Sequence, residues 1–293
     1  MSRSGPPARY AGELTRAEWR EFEPFFHALI GTAFAIIRRY FLRGTAVVAK
    51  ADASPVTRAD RGAEAAMRRL IEQRYPRHAI VGEEYGTRAG ERYRWILDPV
   101  DGTRAFISNC FLFGTLIALE RDDGAGFRPV LGAIAHAAPG LALIGHGGGA
   151  GFAPRTTLYS ADGSRRAARV RPCASLAQAT VLSTSLWHSG EQKGAGLERV
   201  VGGARMYRTW GDCFGYFALA TGGADAMLDP TLAYWDVAAI VPVVEGAGGR
   251  VSAWSGGDPL AEPSLIASAG PLHERILALL RAAPAEPSGG AAG

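Results

Sequence analysis

Four segments place carboxylates beside glycine or at the ends of apolar runs: Asp60 in PVTRAD, Glu83 and Glu84 in VGEEYG, Asp98 and Asp101 in WILDPVDGT, and Asp236 in YWDVAA. Oxygen donors of this kind suit a hard divalent cation, and magnesium in particular is held by few carboxylates together with water and substrate phosphate. No His or Cys lies inside these segments, which argues against zinc. The most informative stretch is Trp95 to Thr103. Its apolar run ends in Asp98, Pro99 prevents a helix from continuing there, and Asp101 follows, so both carboxylates can face one ion cluster. Gly102 permits close approach of the backbone, and the amides of Gly102 and Thr103 can then point at a phosphate oxygen.

Taken singly, each motif has a plainer reading. Glu83 and Glu84 suit a solvated turn, Asp236 suits the N-cap of a helix beginning at Val237, DPVDG is made of turn residues, and Asp60 also suits a cap. Joined in this order and spacing, the plain readings explain the pattern poorly.

The elements that must carry these residues follow from periodicity. Residues 13 to 43 show helical spacing of Leu14, Trp19, Phe22, Phe26, Leu29, Ile30 and Ile37, with a Thr15/Glu18 capping box and a break expected at Pro24. A polar loop (Lys50 to Ser54) leads to a helix from Asp60 to Tyr75, ended by Pro76. Ala79 to Gly82 and Tyr93 to Leu97 read as strands that deliver acidic residues at their C-terminal ends. Phe113 to Glu120 and Val130 to Ala135 read as a hairpin of a larger sheet, and Arg155 to Arg171 as weaker strands. Strands at Val181 to Thr184, Arg205 to Tyr207, Ala226 to Leu228 and Arg250 to Ala253 alternate with helices at Gly190 to Val201, Asp212 to Thr221, Asp236 to Glu245 and Leu272 to Arg281. Such alternation implies a layered α/β fold.

With 293 residues, 47% of them hydrophobic, the chain can bury a large core in one large or two intimately packed domains. The expected division is a flexible stretch at 1–12, a metal-site half at 13–175, an α/β half at 176–281 and an Ala/Pro/Gly/Ser-rich disordered tail at 282–293. The net charge of +4 is spread along the chain without a basic block, so nucleic-acid binding is not expected. Cys110, Cys173 and Cys213 show neither a pairing pattern nor CxxC, which fits a reducing compartment. Phe25 to Ile37 is interrupted by His27 and falls short of the roughly 20 apolar residues that a membrane span needs, and the expected location is the cytoplasm.

The GEE, WILDPVDGT and WDVAAIVPVVEGAGG segments together resemble the inositol monophosphatase superfamily, over roughly residues 13 to 281. The resemblance implies a layered αβαβα sandwich, hydrolysis of a phosphate monoester on a small metabolite, two or three Mg2+ ions and a homodimer. It also implies ligand sets: Glu83, Asp98 and the Val100 carbonyl for one ion, Asp98, Asp101 and Asp236 for another, with Asp60 and Thr103 orienting the attacking water and Gly102 and Thr103 binding phosphate. DGTRAFI, FGTLIAL, KADASPVTRAD around Lys50, and WGDCFGY resemble the histidinol-phosphate phosphatase branch. Substrate contacts are then expected from Arg104 to phosphate, and from Asp212 and Asp229 to a cationic substrate; helix capping is the competing reading of Asp212. SNCFLF and AHAAPG depart from that branch at positions that bear on the substrate and not on the metal site; His136, read in a loop, suits a pocket or a structural role, and the role of Glu84 is left open. An inositol or sugar monophosphatase is the alternative enzyme. A non-catalytic phosphate binder is disfavoured because every expected carboxylate is present.

Overall fold

The computed structural model describes residues 9–43, 47–49, 55–185, 190–262 and 264–281. The polar loop expected from Lys50 to Ser54 and the tail from Ala282 lie outside them. The chain begins with helix α1 (Arg16–Tyr40), the short pair β1 (Val47–Ala49) and β2 (Pro55–Thr57), and helix α2 (Arg58–Arg74). Next come β3 (Ala79–Gly82), β4 (Gly86–Arg88), β5 (Tyr93–Asp101), the short helix α3 (Thr103–Ile107), β6 (Gly114–Asp122), β7 (Phe127–His136), β8 (Leu141–His146), β9 (Arg155–Ser160) and β10 (Arg165–Ala168). The remainder comprises β11 (Thr180–Leu182), α4 (Gly190–Gly203), β12 (Met206–Arg208), α5 (Asp212–Ala220), β13 (Ala226–Asp229), α6 (Tyr234–Gly246), β14 (Arg250–Ser252), β15 (Leu265–Ser268) and α7 (Gly270–Arg281).

An eight-stranded sheet runs in the order β10-β9-β8-β7-β6-β5-β3-β4 and a five-stranded sheet in the order β12-β11-β13-β15-β14. Helices α1 and α2 cover one face of the larger sheet, burying Phe22, Phe26, Leu29, Met67 and Ile71 against Trp95, Leu97 and Ile117. Helices α5 and α6 fill the space between the sheets, while α4 and α7 pack on the outer face of the smaller one. The result is the expected αβαβα layering.

Local chemistry explains most boundaries. The capping box forms, with the Thr15 hydroxyl accepting from the Glu18 N–H and the Glu18 carboxylate accepting from the Thr15 N–H at 2.8 Å. The break expected at Pro24 is absent: α1 continues through it, its stripe from Phe22 to Ile37 being buried on both sides of the proline. Strands β1, β2, β4, β8 and β15 and the short helix α3 are not among the expected elements. Each is short, and β8 and β15 are buried runs whose periodicity does not separate strand from helix.

Helix α6 is buried from Asp236 to Glu245, so the sheet beneath it must offer a smooth surface. Gly132 and Gly145 provide it. A Cβ at Gly132 would stand 2.1 Å from the Ala239 carbonyl oxygen, and one at Gly145 would stand 2.6 Å from the Val243 Cα. Gly132→Ala should therefore push α6 off the sheet and destabilise the fold by about 1–3 kcal/mol. Urea unfolding would measure it, and an unchanged midpoint would contradict the contact.

Candidate active site

Strand β5 reaches Asp101, four residues beyond the expected end at Leu97. Its pairing with β6 runs in register to Asp98↔Leu116, then shifts so that Asp101 faces Gly114. In a regular strand, residues three apart point to opposite faces. The extra residue in this bulge restores a common side for Asp98 and Asp101. The Pro99 carbonyl accepts from the Thr115 hydroxyl at 2.8 Å and the Asp98 carboxylate accepts from the Val100 N–H at 2.9 Å, which pins the bulge.

Asp236 arrives from the first turn of α6. That helix begins at Tyr234 rather than Val237, so Asp236 is not the N-cap. It sits inside the first turn and its carboxylate reaches back to accept the Ala233 N–H at 3.0 Å. The turn is braced by Tyr234, whose hydroxyl donates to buried Glu120 on β6. Arg94 on β5 donates to the same carboxylate and to the Tyr234 oxygen, the latter at 3.2 Å. Carboxylate oxygens of Asp98, Asp101 and Asp236 thus lie within 4.8 Å of one another. Glu83, just past the end of β3, joins them by acting directly on Asp98, and its own N–H is held by the Leu97 carbonyl at 3.1 Å.

Burial, and then the neighbouring carboxylates Glu83, Asp101 and Asp236, push the Asp98 carboxyl well above the usual carboxylate range. Asp101 is raised in the same way by burial, Asp212 and Asp236. Asp236 is pushed up to about 7, chiefly by burial. A cluster of oxygen donors whose charges oppose one another fits a hard dication, which would relieve the repulsion.

A second group lies beside it. Asp60 is in the first turn of α2, where its Oδ2 accepts from both the N–H (2.9 Å) and the hydroxyl of Thr57. Its Oδ1 is left facing the Thr103 hydroxyl at 3.4 Å, and that hydroxyl is also 3.1 Å from the Val100 carbonyl. Burial raises the Asp60 carboxyl. Gly102, at φ 79°, joins β5 to α3 in a left-handed conformation. A side chain there would meet the Asp212 carboxylate at 2.8 Å.

Asp212 opens α5 at φ 49°. Its carboxyl is raised to about 6 by burial and by Asp229, against the lowering effect of Arg104. Arg104 itself is exposed. Asp229 is 2% exposed, and its oxygens accept from the Thr184 N–H at 3.1 Å and the Tyr216 hydroxyl at 2.9 Å. It therefore sits beneath Asp212, with Thr184 between them: the Thr184 oxygen accepts the Asp212 N–H at 2.9 Å. His136 ends β7 rather than lying in a loop. Its Nδ1 is 2.7 Å from the Phe113 carbonyl, its ring packs on Phe217, and burial lowers it to about 4, so it is neutral. The Glu84 carboxylate lies 3.8 Å from Arg61.

Several supporting residues have no signature of their own in the sequence. Thr57 was legible in principle, as the T-x-x-D of a capping box. Thr184, Tyr216 and Cys213, whose N–H donates to Asp101, are brought in only by tertiary packing.

The profile of the inositol monophosphatase family matches residues 18–285. A chloroplastic bifunctional phosphatase, IMPL2, of Arabidopsis thaliana is 38% identical over 88% of this chain and 71% of its own. A histidinol-phosphatase of Chlorobaculum parvum is 32% identical over 71% of this chain and 75% of its own. Among solved structures, an inositol monophosphatase from Zymomonas mobilis is 34% identical and superposes with a TM-score of 0.78 over 91% of this chain and all of that one. No described helix is long and apolar enough to cross a membrane.

The carboxylate cluster has a measurable consequence in metal-free protein. Asp236 rises from 3.8 to about 7 on folding, so the folded state holds a proton that the unfolded chain has released. The stability this confers is complete below the unfolded value and is lost as pH rises through about 7. Chelator-treated protein should melt several degrees lower at pH 8 than at pH 6, by roughly the linkage slope of one group. Asp236→Asn should flatten the slope and raise the melting temperature at pH 8. Identical pH profiles for the two proteins, followed by calorimetry, would contradict the crowding of these carboxyls.

Proposed function

The chain belongs to the inositol monophosphatase family, and from that premise we propose that this phosphatase hydrolyses histidinol phosphate, with magnesium as its cofactor, through direct attack of water on phosphorus. Glu83, Asp98, the Val100 carbonyl, Asp101 and Asp236 would hold the ions, two or three in number. When bound, they supply positive charge for the phosphoryl oxygens and lower the pKa of water.

The protein's own residues position and move the proton. The Thr103 hydroxyl has one hydrogen and two acceptors near it, Asp60 Oδ1 and the Val100 carbonyl. Donated to the Asp60 Oδ1, that hydrogen would leave an oxygen lone pair to accept a hydrogen from the attacking water. Asp60, buried and with raised proton affinity, is the terminal acceptor, and Thr57 fixes its other oxygen so that Oδ1 faces Thr103. The amides of Gly102 and Thr103 bind phosphate oxygens, and Arg104 reaches the same group from the exposed rim. No covalent phosphoenzyme is required.

The substrate assignment rests on one observation: negative charge extends beyond the ion cluster to Asp212, whose carboxyl is raised by burial and by Asp229 beneath it. A substrate with an amine and an imidazole meets that carboxylate with charge-assisted contacts, which are stronger than the neutral hydroxyl contacts a polyol offers. Asp212 is the contacting group in this reading. Asp229, with its oxygens taken by Thr184 and Tyr216, supports it from below. Relatives named as histidinol-phosphatases are in accord. A homodimer belongs to the same reading.

A substrate panel, chelation and two substitutions test this. Catalytic efficiency on histidinol phosphate should exceed that on inositol 1-phosphate, sugar phosphates and 3'-phosphoadenosine phosphates, and chelation should abolish all of it. Asp212→Asn should raise KM for histidinol phosphate about tenfold, the loss of one charge-assisted contact, and spare uncharged substrates. Preference for inositol 1-phosphate with uniform mutant effects would replace the assignment by the inositol reading. Thr103→Ala should lower kcat by about a hundredfold or more with little change in KM, since the hydroxyl is lost and the amide stays. Unaltered kcat would remove Thr103 from proton transfer.

A further inference from the structure

Glu64 is fully buried, one helical turn after Asp60 on α2, and nothing in the chemistry above uses it. Its carboxylate accepts the N–H of Glu84 at 2.8 Å and the N–H of Tyr85 at 3.2 Å. Arg68, a further turn along, donates to the same carboxylate at 2.7 Å and also to the Gly86 carbonyl. The backbone N–H on the other side, that of Glu83, is held by the Leu97 carbonyl at 3.1 Å, one residue before Asp98. The Glu83 backbone is thus clamped from both sides. Access depends on Gly82, where a Cβ would stand 2.0 Å from the Glu64 Oε1 and 2.8 Å from the Arg68 Nη2.

We infer that Glu64 is a positioning residue, which fixes the Glu83–Tyr85 turn so that the Glu83 carboxylate is presented to the ion cluster. The inference rests on the reading of Glu83 and Asp98 as magnesium ligands. A turn with unrestrained amides would present Glu83 in many orientations, and the entropy of ordering it would then oppose ion binding. Glu64 settles that orientation during folding.

The test is direct titration of Mn2+ into chelator-treated protein, with free ion followed by electron paramagnetic resonance. Glu64→Gln should bind Mn2+ about tenfold more weakly, the ordinary size for a residue that orients a ligand. Gly82→Ala, which displaces Glu64 without changing any charge, should do the same, so the result does not depend on one variant folding. Glu245→Gln is the control: that buried carboxylate holds the Tyr10 and Ala11 N–H groups at the far end of α6, and its loss should lower the melting temperature and leave Mn2+ affinity intact. Wild-type affinity in both Glu64→Gln and Gly82→Ala, with binding lost in Asp98→Asn, would overturn the role of Glu64. Loss of affinity in Glu245→Gln equal to that in Glu64→Gln would also overturn it, by showing a general effect of stability. Retention of Mn2+ binding by Asp98→Asn would instead remove the metal reading itself.

Discussion

Like charge held at close quarters is the constraint around which this protein is organised. Carboxylate oxygens from Asp98, Asp101 and Asp236 approach within 4.8 Å, and both burial and mutual repulsion act against their ionised forms. Such an arrangement costs stability unless protons or cations occupy it. The fold must therefore be stable enough elsewhere to hold it. Helix α6, which carries Asp236, is buried along ten consecutive residues between the two sheets. The cluster is thus attached to a helix whose displacement would expose a long run of apolar surface.

Rigidity near the cluster comes from polar contacts that each join separate elements. The carboxylate of Glu120 ties β6 to β5 through Arg94 and to α6 through Tyr234. The first two turns of α2 supply Asp60 for Thr103 and Glu64 for the turn after β3. The N–H of Cys213 connects α5 to Asp101. Each contact is buried or half-buried and involves a charge, so leaving one partner unsatisfied is costly. That penalty is what gives these geometries their definition. Apolar packing alone, which is non-directional, fixes separations between layers but not the direction of a carboxylate.

This division also explains what the sequence disclosed. WILDPVDGT, GEE and WDVAA were legible because carboxylates concentrated in short segments leave a local trace, and the capping box at Thr15 is local as well. The bulge between Asp98 and Asp101 was foreshadowed only by Pro99, since bulges are defined by register with a partner strand. The first residue of α6 was misplaced because Asp236 resembles an N-cap, although its carboxylate performs the reverse half of a capping box from the third position of the helix. Contacts at large sequence separation left no trace: Tyr216 and Thr184 on Asp229, or Glu64 below a turn twenty residues on. Strands β8 and β15, buried and short, have the apolar composition of any core segment.

The same reasoning separates the reaction from the substrate. Groups proposed to act on phosphate lie on β5, α2, α3 and α6 and are fixed by hydrogen bonds to nearby backbone, Asp60 to Thr57, Asp98 and Thr103 to Val100, Asp101 to Cys213 and Asp236 to Ala233. The groups proposed to read the rest of the substrate lie at the start of α5, where Asp212 adopts φ 49°, a conformation uncommon for a residue with a side chain. The strain persists because Thr184 holds the Asp212 N–H and Asp229 holds Thr184, and Gly102 leaves room for the Asp212 carboxylate beside the phosphate-binding turn. Changing this corner would leave the ion cluster in place while altering the charge presented to a ligand. Members of one family can then share the same carboxylates and act on different phosphate esters, and motif resemblance identifies the chemistry at higher resolution than it identifies the molecule transformed.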